Sequence, residues 1–238
     1  MNKRTFLKNL VFLGSASFAV QHLFALENIR IKKNSALIVV DVQNCFLEGG
    51  TLPVKGGREI IPIINHLIPM FQNVIVTQDW HPSGHISFAS SHKNKDPFDS
   101  LSLPYGKQVL WPDHCTQGST DAEIDKRLEI SHAQMIIRKG FHKNIDSYSA
   151  FREADKVTST GLDGYLKARA IQSVFIAGLA TDFCVASTAI DAAKEGFSTF
   201  VIEDASRAID IDGSLLAAKR DMLKADVKII KSNQLMLN

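Results

Sequence analysis

The chain of 238 residues has an ordinary globular composition, with 45% hydrophobic and 22% charged residues, and its length favours a single domain. A formal net charge of only +2 argues against a nucleic-acid-binding surface and against attraction to anionic membranes. The three cysteines, Cys45, Cys115 and Cys184, are an odd number in a chain long enough to bury its own core. We therefore expect no disulfide framework and at least one free thiol.

Residues 1–25 have the pattern of an export signal. Lys3 and Arg4 precede an apolar stretch that ends near Ala25 with Leu-Phe-Ala, which loosely resembles a signal-peptidase site. The opening also resembles the twin-arginine motif, with Lys3 in place of the first arginine. The alternative is an uncleaved apolar helix, whereas a spanning anchor is disfavoured because the run is short and contains polar residues. We expect a periplasmic or otherwise exported protein, cytoplasmic if the segment is not processed, with one domain over residues 26–238.

Apolar runs and stretches of helical spacing alternate along the rest of the chain. The apolar runs predict six buried strands, which cover residues 36–40, 73–77, 134–137, 174–177, 198–202 and 227–231. The helical spacing predicts five helices, which cover residues 58–71, 122–130, 161–168, 185–193 and 215–223. Strands separated by helices pair in parallel through right-handed crossovers. The sequence therefore predicts an α/β fold: a doubly wound, mainly parallel six-stranded sheet with helices on both faces, in a Rossmann-like three-layer arrangement.

The segment between the second and third predicted strands is long, weakly periodic and rich in histidine. Loops of about fifty residues inside a compact domain usually carry binding surfaces or lids. Asp79 and His81 stand two residues apart, so in extended backbone their side chains lie on the same side. His85 and His114 follow in the same segment. One carboxylate with two or three imidazoles suits zinc, iron or manganese better than calcium or magnesium.

Cys115 directly follows His114 and offers an alternative metal ligand. Adjacent residues in extended chain point to opposite sides, so only one of the two side chains can face the other donors. We expect His114 to be the ligand and Cys115 to be structural.

Polar side chains stand where four of the predicted strands end. Asp41, Asp79 and Lys139 each come just after an apolar run, and Cys184 follows the fourth run by a few residues. In doubly wound sheets, sites form outside the carboxyl ends of the strands. We therefore expect a thiol, an ammonium group and two carboxylates at one edge of the sheet.

The thiol of Cys184 is the candidate nucleophile. Thr181 and Asp182 are typical N-cap residues, which places Cys184 in the first turn of the next helix, where backbone N–H groups favour thiolate and can hold an oxyanion. Asp41 can take the thiol proton and later deliver it to a leaving amine, while Lys139 keeps Asp41 ionised. Taken singly, each residue has a structural alternative: Cys184 as a small buried hydrophobe, Asp41 as a helix or turn cap, and Lys139 as a solvated strand end. Their joint placement favours acyl transfer.

Six stretches together resemble a known family. They read VDVQNCF (40–46), TQDWHP (77–82), WPDHC (111–115), RKG (138–140), DSYSAF (146–151) and GLATDFCV (178–185). In this order, across about residues 35–231, they resemble the nicotinamidases (pyrazinamidases) of the isochorismatase-like cysteine hydrolase superfamily. The DWH and WPxHC stretches point to nicotinamidases, since many relatives lack the metal loop.

The resemblance implies a role for each matching residue at the strand ends. Asp41, Lys139 and Cys184 would form the catalytic triad. The N–H groups of Ala180 and Cys184 would hold the oxyanion, next to a cis peptide between Leu179 and Ala180.

The resemblance also implies one divalent transition metal, with Zn²⁺ as the first choice and Fe²⁺ or Mn²⁺ as alternatives. Its ligands would be Asp79, His81 and His114, with His85 as a fourth ligand in some members. The pyridine nitrogen of the substrate would bind this metal.

Aromatic residues would line the substrate pocket, by the same resemblance: Phe46, Trp111 and Tyr148. Cys45 departs from the pattern, because the family commonly has Asp there. We expect a tolerated change near the site, although a disulfide between Cys45 and Cys184 would silence the enzyme.

The activity implied is hydrolysis of nicotinamide to nicotinate and ammonia through a thioester, as in NAD salvage, with pyrazinamide as a further substrate. A homo-oligomer is possible, and no stable membrane span is expected after signal removal. One alternative is a sister hydrolase acting on another small amide or carbamoyl compound, which would not need the metal ligands. The other is a non-catalytic exported protein that binds a metal or ligand.

Overall fold

The computed structural model describes residues 28–237. Its strands are β1 (Ile29–Ile31), β2 (Ser35–Val40), β3 (Asn73–Asp79), β4 (Ser100–Leu103), β5 (Gly106–Val109), β6 (Met135–Lys139), β7 (Ser173–Leu179), β8 (Ser198–Arg207), β9 (Lys228–Ile230) and β10 (Leu235–Leu237). Its α-helices are α1 (Ile60–Leu67), α2 (Leu162–Ala168), α3 (Ala186–Lys194) and α4 (Ser214–Lys224). The proposed export signal lies outside the described residues. Across residues 28–237, every helix is too short or too polar to cross a membrane.

Six strands form the central sheet in the order β6-β3-β2-β7-β8-β9, and every neighbouring pair is parallel. This confirms the predicted doubly wound sheet. The chain starts in the middle at β2, moves outward through β3 and β6, and then returns to β7 on the other side of β2. The order of the strands therefore reverses between β2 and β7, which is where ligand sites form in open α/β sheets.

Two apolar layers cover the sheet, one on each face. Along β2, Leu37 and Val39 belong to the layer that contains α1, while Ile38 and Val40 belong to the layer that contains α2, α3 and α4. This alternation follows from the two-residue repeat of a strand. Because both faces are covered, β2 is a continuous apolar run with every residue buried.

The predicted helix over residues 122–130 is wrong. The backbone of this stretch bonds to the segment after β2, with the N–H of Asn44 donating to Glu123 O at 2.9 Å and that of Asp125 donating to Val42 O at 3.0 Å. Its internal bonds are those of short turns, such as the bond from Leu128 N–H to Asp125 O at 2.9 Å. Several of its N–H and C=O groups are therefore already paired outside an α-helix, which removes the need for helical hydrogen bonds.

Short strands outside the central sheet were not predicted. β1 pairs with β10 in parallel, and β4 pairs with β5 as an antiparallel hairpin inside the long segment that joins β3 to β6. The central strands also run further than their apolar runs. β3 extends to Asp79 and β6 to Lys139, and these two residues are paired in register. The extension brings a carboxylate and an ammonium group side by side at the sheet edge.

Candidate active site

The ends of the central strands bring the three predicted reactive side chains together. The Nζ atom of Lys139 lies 2.9 Å from Asp41 Oδ2 and 3.3 Å from Cys184 Sγ. The exposed fractions of Asp41, Lys139 and Cys184 lie between 0% and 5%. Lys139 also donates to the backbone oxygen of Ser147 at 3.0 Å. A buried cation is thus held among acceptors, as a charge removed from water requires.

Thr77, one residue missed by the sequence reasoning, holds the carboxylate of Asp41. Its hydroxyl donates to Asp41 Oδ1 at 2.5 Å and accepts from the N–H of Asp41 at 3.1 Å. Asp41 has a φ of +49°, a left-handed backbone conformation that residues other than glycine seldom adopt. The two hydrogen bonds to the neighbouring strand stabilise this conformation and leave Oδ2 facing Lys139.

Burial sets the protonation of the thiol and of the carboxyl group. It raises the pKa of Cys184 well above its ordinary value, although the charge of Lys139 acts in the opposite direction. Burial also raises the pKa of Asp41, again against the effect of Lys139. Burial alone would lower the pKa of Lys139, but Asp41 and Asp79 raise it well above its ordinary value. The lysine therefore stays charged, and Cys184 and Asp41 are two groups between which one proton can move.

Cys184 lies in a π-helical turn, Thr181–Val185, and not in the first turn of an α-helix as predicted. The N–H of Val185 donates to Ala180 O, five residues back, at 3.1 Å. The peptide between Leu179 and Ala180 is cis, as the resemblance implies. Ala180 and Cys184 both line the same pocket.

The predicted N-cap role of Asp182 is wrong, because its carboxylate binds a distant loop. Asp182 accepts hydrogen bonds from the N–H groups of Ile209 at 3.1 Å and Asp210 at 2.8 Å and from the hydroxyl of Ser214 at 2.5 Å. These bonds hold the loop between β8 and α4 against the π-helical turn. Ile209 thereby becomes part of the pocket wall.

Asp79, His81 and His114 form a second buried group beside the first. Asp79 Oδ2 lies 3.2 Å from His81 Nε2 and 3.6 Å from His114 Nε2. The Nδ1 atoms face backbone oxygens, with His81 2.9 Å from Gly140 O and His114 2.8 Å from Pro112 O. A carbonyl oxygen can only accept, so each Nδ1 carries the hydrogen and each Nε2 is left to offer a lone pair. Three converging ligand atoms of this kind fit a divalent cation.

Two further features shape the surroundings of His81. Burial would lower the pKa of His81, but the carboxylate of Asp79 raises it. Gly140 has a φ of +65°, and a Cβ atom there would collide with the His81 ring, so glycine is required beside this imidazole. The other oxygen of Asp79 lies 2.8 Å from Lys139 Nζ. Asp79 therefore joins the metal-donor group to the reactive group.

His85 does not join these three donors. Its Nδ1 lies 2.7 Å from Ser87 Oγ, and its Nε2 lies 3.1 Å from Ile145 O and 3.2 Å from His142 O. Burial lowers the pKa of His85 to about 4, so the ring is neutral. Its centroid is 4.3 Å from that of His81. In this arrangement both ring nitrogens of His85 are engaged, although His85 also forms a second possible donor group with His81 and Asp146. Its role as a fourth ligand stays a prediction.

A pocket opens above both groups, and its lining includes Cys184 from the first group and all three metal donors from the second. The three rings named from the resemblance line it, and three apolar side chains that the sequence reasoning missed complete the wall. The lining includes Phe46, Trp111, Tyr148, Leu52, Phe183 and Ile209.

A hydrogen-bond network behind this wall was also missed by the sequence reasoning. The hydroxyl of Tyr148 accepts from Trp111 Nε1 and from Gln108 Nε2, each at 3.0 Å. Gln108 also donates to the buried carboxylate of Asp146 at 2.7 Å. The hairpin formed by β4 and β5 thus supplies a residue that fixes two aromatic walls.

Comparison with known proteins agrees with this geometry. The isochorismatase domain family matches residues 35–234. The chain is 58% identical to the nicotinamidase of Acinetobacter baylyi, over 88% of this chain and 99% of that protein. The chain belongs to the nicotinamidase branch of the isochorismatase family.

Solved structures of the family are also similar to this chain. A protein from L. infantum, solved in complex with nicotinate, has a TM-score of 0.78 and 37% identity, covering 89% of this chain and 100% of its own. The pyrazinamidase of Pyrococcus horikoshii, solved in complex with zinc, has a TM-score of 0.68 and 34% identity, covering 83% of this chain and 99% of its own.

The cysteines of this nicotinamidase-branch chain differ from the sequence expectation. Cys45 and Cys115 form a disulfide, so the expectation of no disulfide framework is wrong. Cys115 is structural, as predicted, and Cys184 is the free thiol within residues 28–237. The pairing of Cys45 with Cys184, which would silence the enzyme, is not formed. Cys45 and Cys115 are 70 residues apart in sequence, and only the folded chain brings them into contact.

Proposed function

We propose that this chain is a metal-dependent nicotinamidase that hydrolyses nicotinamide to nicotinate and ammonia through a thioester on Cys184. One observation carries the proposal: a buried thiol, in contact with Lys139 and beside Asp41, shares a pocket with a separate group of three metal donors. A nucleophile and a site for a ring nitrogen are the two elements that this substrate requires. The identity with the A. baylyi nicotinamidase supports the choice of substrate.

The pocket wall binds and orients the substrate ring. Phe46 and Trp111 supply apolar ring faces, and the Trp111 ring is itself held edge-on by Phe183 at a centroid distance of 4.8 Å. A flat pyridine ring held by this wall places its carboxamide near Cys184. Because pyrazinamide has the same carboxamide and a ring nitrogen, we propose it as a second substrate.

Asp41 moves the protons of the reaction. It accepts the proton of the Cys184 thiol, and the thiolate attacks the carboxamide carbon while the N–H groups of Ala180 and Cys184 hold the oxyanion. Asp41 then returns the proton to the leaving nitrogen, ammonia departs and a thioester remains. In the second half, Asp41 takes a proton from water, the resulting hydroxide attacks the thioester, and nicotinate leaves as the thiol is restored. Lys139 keeps its charge beside Asp41 throughout.

Asp79, His81 and His114 would hold the divalent metal, for which the zinc complex of the P. horikoshii pyrazinamidase favours zinc over iron or manganese. When bound, the cation supplies a Lewis acid for the pyridine nitrogen and for water. The contribution of this chain is to keep the three donors buried and their Nδ1 atoms paired with backbone oxygens.

Export is a separate proposal and concerns residues 1–25. The Cys45–Cys115 disulfide supports it, because disulfides persist in oxidising compartments and are rare in the cytosol. We propose a periplasmic protein with a single domain over residues 26–238. Sequencing the N-terminus of the protein recovered from its native cells tests this directly, and a start at Met1 or Asn2 would contradict cleavage.

The function is tested by ammonia release. Purified protein is incubated with nicotinamide before and after dialysis against a chelator, and again after zinc is added back. We expect ammonia from the metal-loaded protein, loss of activity after dialysis and recovery with zinc. Benzamide, which lacks the ring nitrogen, is the matched control and should be a poor substrate. Equal turnover of both amides by metal-free protein would contradict the proposed role of the metal.

A further inference from the structure

Of the three metal donors, His114 has the least support from the central sheet. Asp79 is the last residue of β3, and His81 follows two residues later. His114 instead lies in the segment that joins β3 to β6, where residues 110–129 contain no α-helix or strand of the named set. A ligand on such a segment needs other ties to be held within a few tenths of an ångström.

The residue after His114 supplies these ties. The backbone oxygen of Cys115 accepts from the N–H of His81 at 3.1 Å, and the N–H of Cys115 lies 3.3 Å from the Asp121 carboxylate. The side chain of Cys115 is bonded to Cys45. The backbone next to His114 is therefore hydrogen-bonded to His81, the other histidine of the donor group. It is also covalently linked to the turn that follows β2.

The other end of the disulfide is next to the pocket wall. Cys45 precedes Phe46, whose ring meets the His114 ring edge-on at a centroid distance of 5.6 Å. The two bonded cysteines thus stand beside two side chains that also touch each other, one a metal donor and the other a pocket wall. The N–H of Cys45 donates to Asp121 O at 2.8 Å, so Asp121 contacts both halves of the bridge.

We propose that the Cys45–Cys115 disulfide is a positioning element of the active site, which fixes His114 and Phe46 so that the oxidised chain retains its metal. This inference rests on the proposed metal site. Both cysteines are fully buried, so a reductant reaches the bond only after local opening. The disulfide therefore holds the His114 segment in place for as long as the protein stays folded. When it is absent, the His114 segment has greater freedom and the metal leaves faster.

The test compares zinc loss from folded proteins. Wild type and the double variant Cys45→Ala, Cys115→Ala are loaded with zinc, mixed with excess chelator and assayed for bound zinc at timed intervals. We expect the double variant to lose zinc about tenfold to a hundredfold faster, the range found when groups supporting a ligand are removed. Alanine is chosen because both sites are buried among apolar side chains.

A control variant separates positioning from general stability. Met222→Ala removes a buried side chain of α4 on the other face of the sheet, away from the pocket. It should lower the thermal midpoint but leave the rate of zinc loss unchanged. Equal rates of zinc loss in folded wild type and double variant would overturn the inference while leaving the metal site standing. Failure of wild type to bind zinc at all would overturn the metal site and the inference together.

A second measurement covers a double variant that does not fold. Wild type is produced in an oxidising and in a reducing compartment of the same host, and thiols are counted after denaturation. The chain has three cysteines, so the oxidised form shows one thiol and the reduced form three. The three-thiol form should lose zinc faster, and the same rate in both forms would contradict the proposal.

Discussion

The sheet edge and the segment between β3 and β6 place their functional residues by different means. Asp41, Asp79 and Lys139 stand at the ends of parallel strands, and the ladder register alone pairs Asp79 with Lys139. Trp111 and His114 lie outside the strands and are held by isolated backbone bridges, side-chain hydrogen bonds and a disulfide. The register of the sheet positions the residues of the first region, whereas separate local contacts position those of the second. Substitutions of the reactive side chains at the sheet edge should therefore affect chemistry, and substitutions in the segment should affect substrate binding or metal retention.

The largest effect is expected at the sheet edge, from Cys184→Ala. Without the nucleophile, turnover of nicotinamide should fall by at least about a thousandfold. Zinc content and the circular dichroism spectrum should stay as in wild type, because Cys184 is not among the three metal donors. Activity within tenfold of wild type would remove Cys184 from the mechanism.

An intermediate effect is expected in the segment, from Gln108→Ala. The loss of the donor to Asp146 and Tyr148 leaves a buried carboxylate with fewer partners and frees the aromatic wall. We expect KM for nicotinamide to rise about tenfold with little change in kcat.

Steady-state kinetics over a range of nicotinamide concentrations check this split. Gln172→Ala is the matched control, because Gln172 is exposed and lies before β7, at the end of the sheet opposite the pocket. An unchanged KM, or a fall in kcat alone, would show that the network does not shape the binding wall.

The smallest effect is expected on stability, where Gln43 joins the two regions. Its Oε1 accepts from the N–H of Asp79 at 2.7 Å, and its Nε2 donates to Asp79 O at 2.8 Å and Ala122 O at 2.9 Å. Gln43→Leu removes both of these bonds from the Asp79 backbone and one of the two that reach Ala122 O, which also accepts from Gln78. It should lower the free energy of unfolding by about 3 kcal/mol.

Urea unfolding of the two variants measures this difference. Asn65→Ala removes a similar two-way tie to the backbone of Arg127 and Glu129, but in contact with solvent, and should cost about 1 kcal/mol or less. Equal losses in the two variants would mean that burial does not distinguish the two ties.

The same division explains what the sequence could predict. Apolar runs locate the buried strands, and strand ends in a parallel sheet meet at one edge, so Asp41 and Lys139 follow from pattern. The helix predicted over residues 122–130 fails because this stretch pairs with the backbone after β2, a contact that helical spacing does not record. Gln108 was missed because its partners are about 40 residues away. The resemblance supplied Trp111 and Tyr148, whereas periodicity gave no sign of either.

The ring closed by Cys45 and Cys115 spans 70 residues, and it contains β3 and the β4–β5 hairpin. A protease that cuts this hairpin after the exposed Lys107 of β5 would produce two pieces that remain one covalent molecule. Such nicked protein would keep its full mass on a gel until reductant is added. The closed loop also lowers the conformational entropy of the unfolded chain, which stabilises the folded state by about 4 kcal/mol in the chain-entropy treatment. It therefore favours refolding after transient damage.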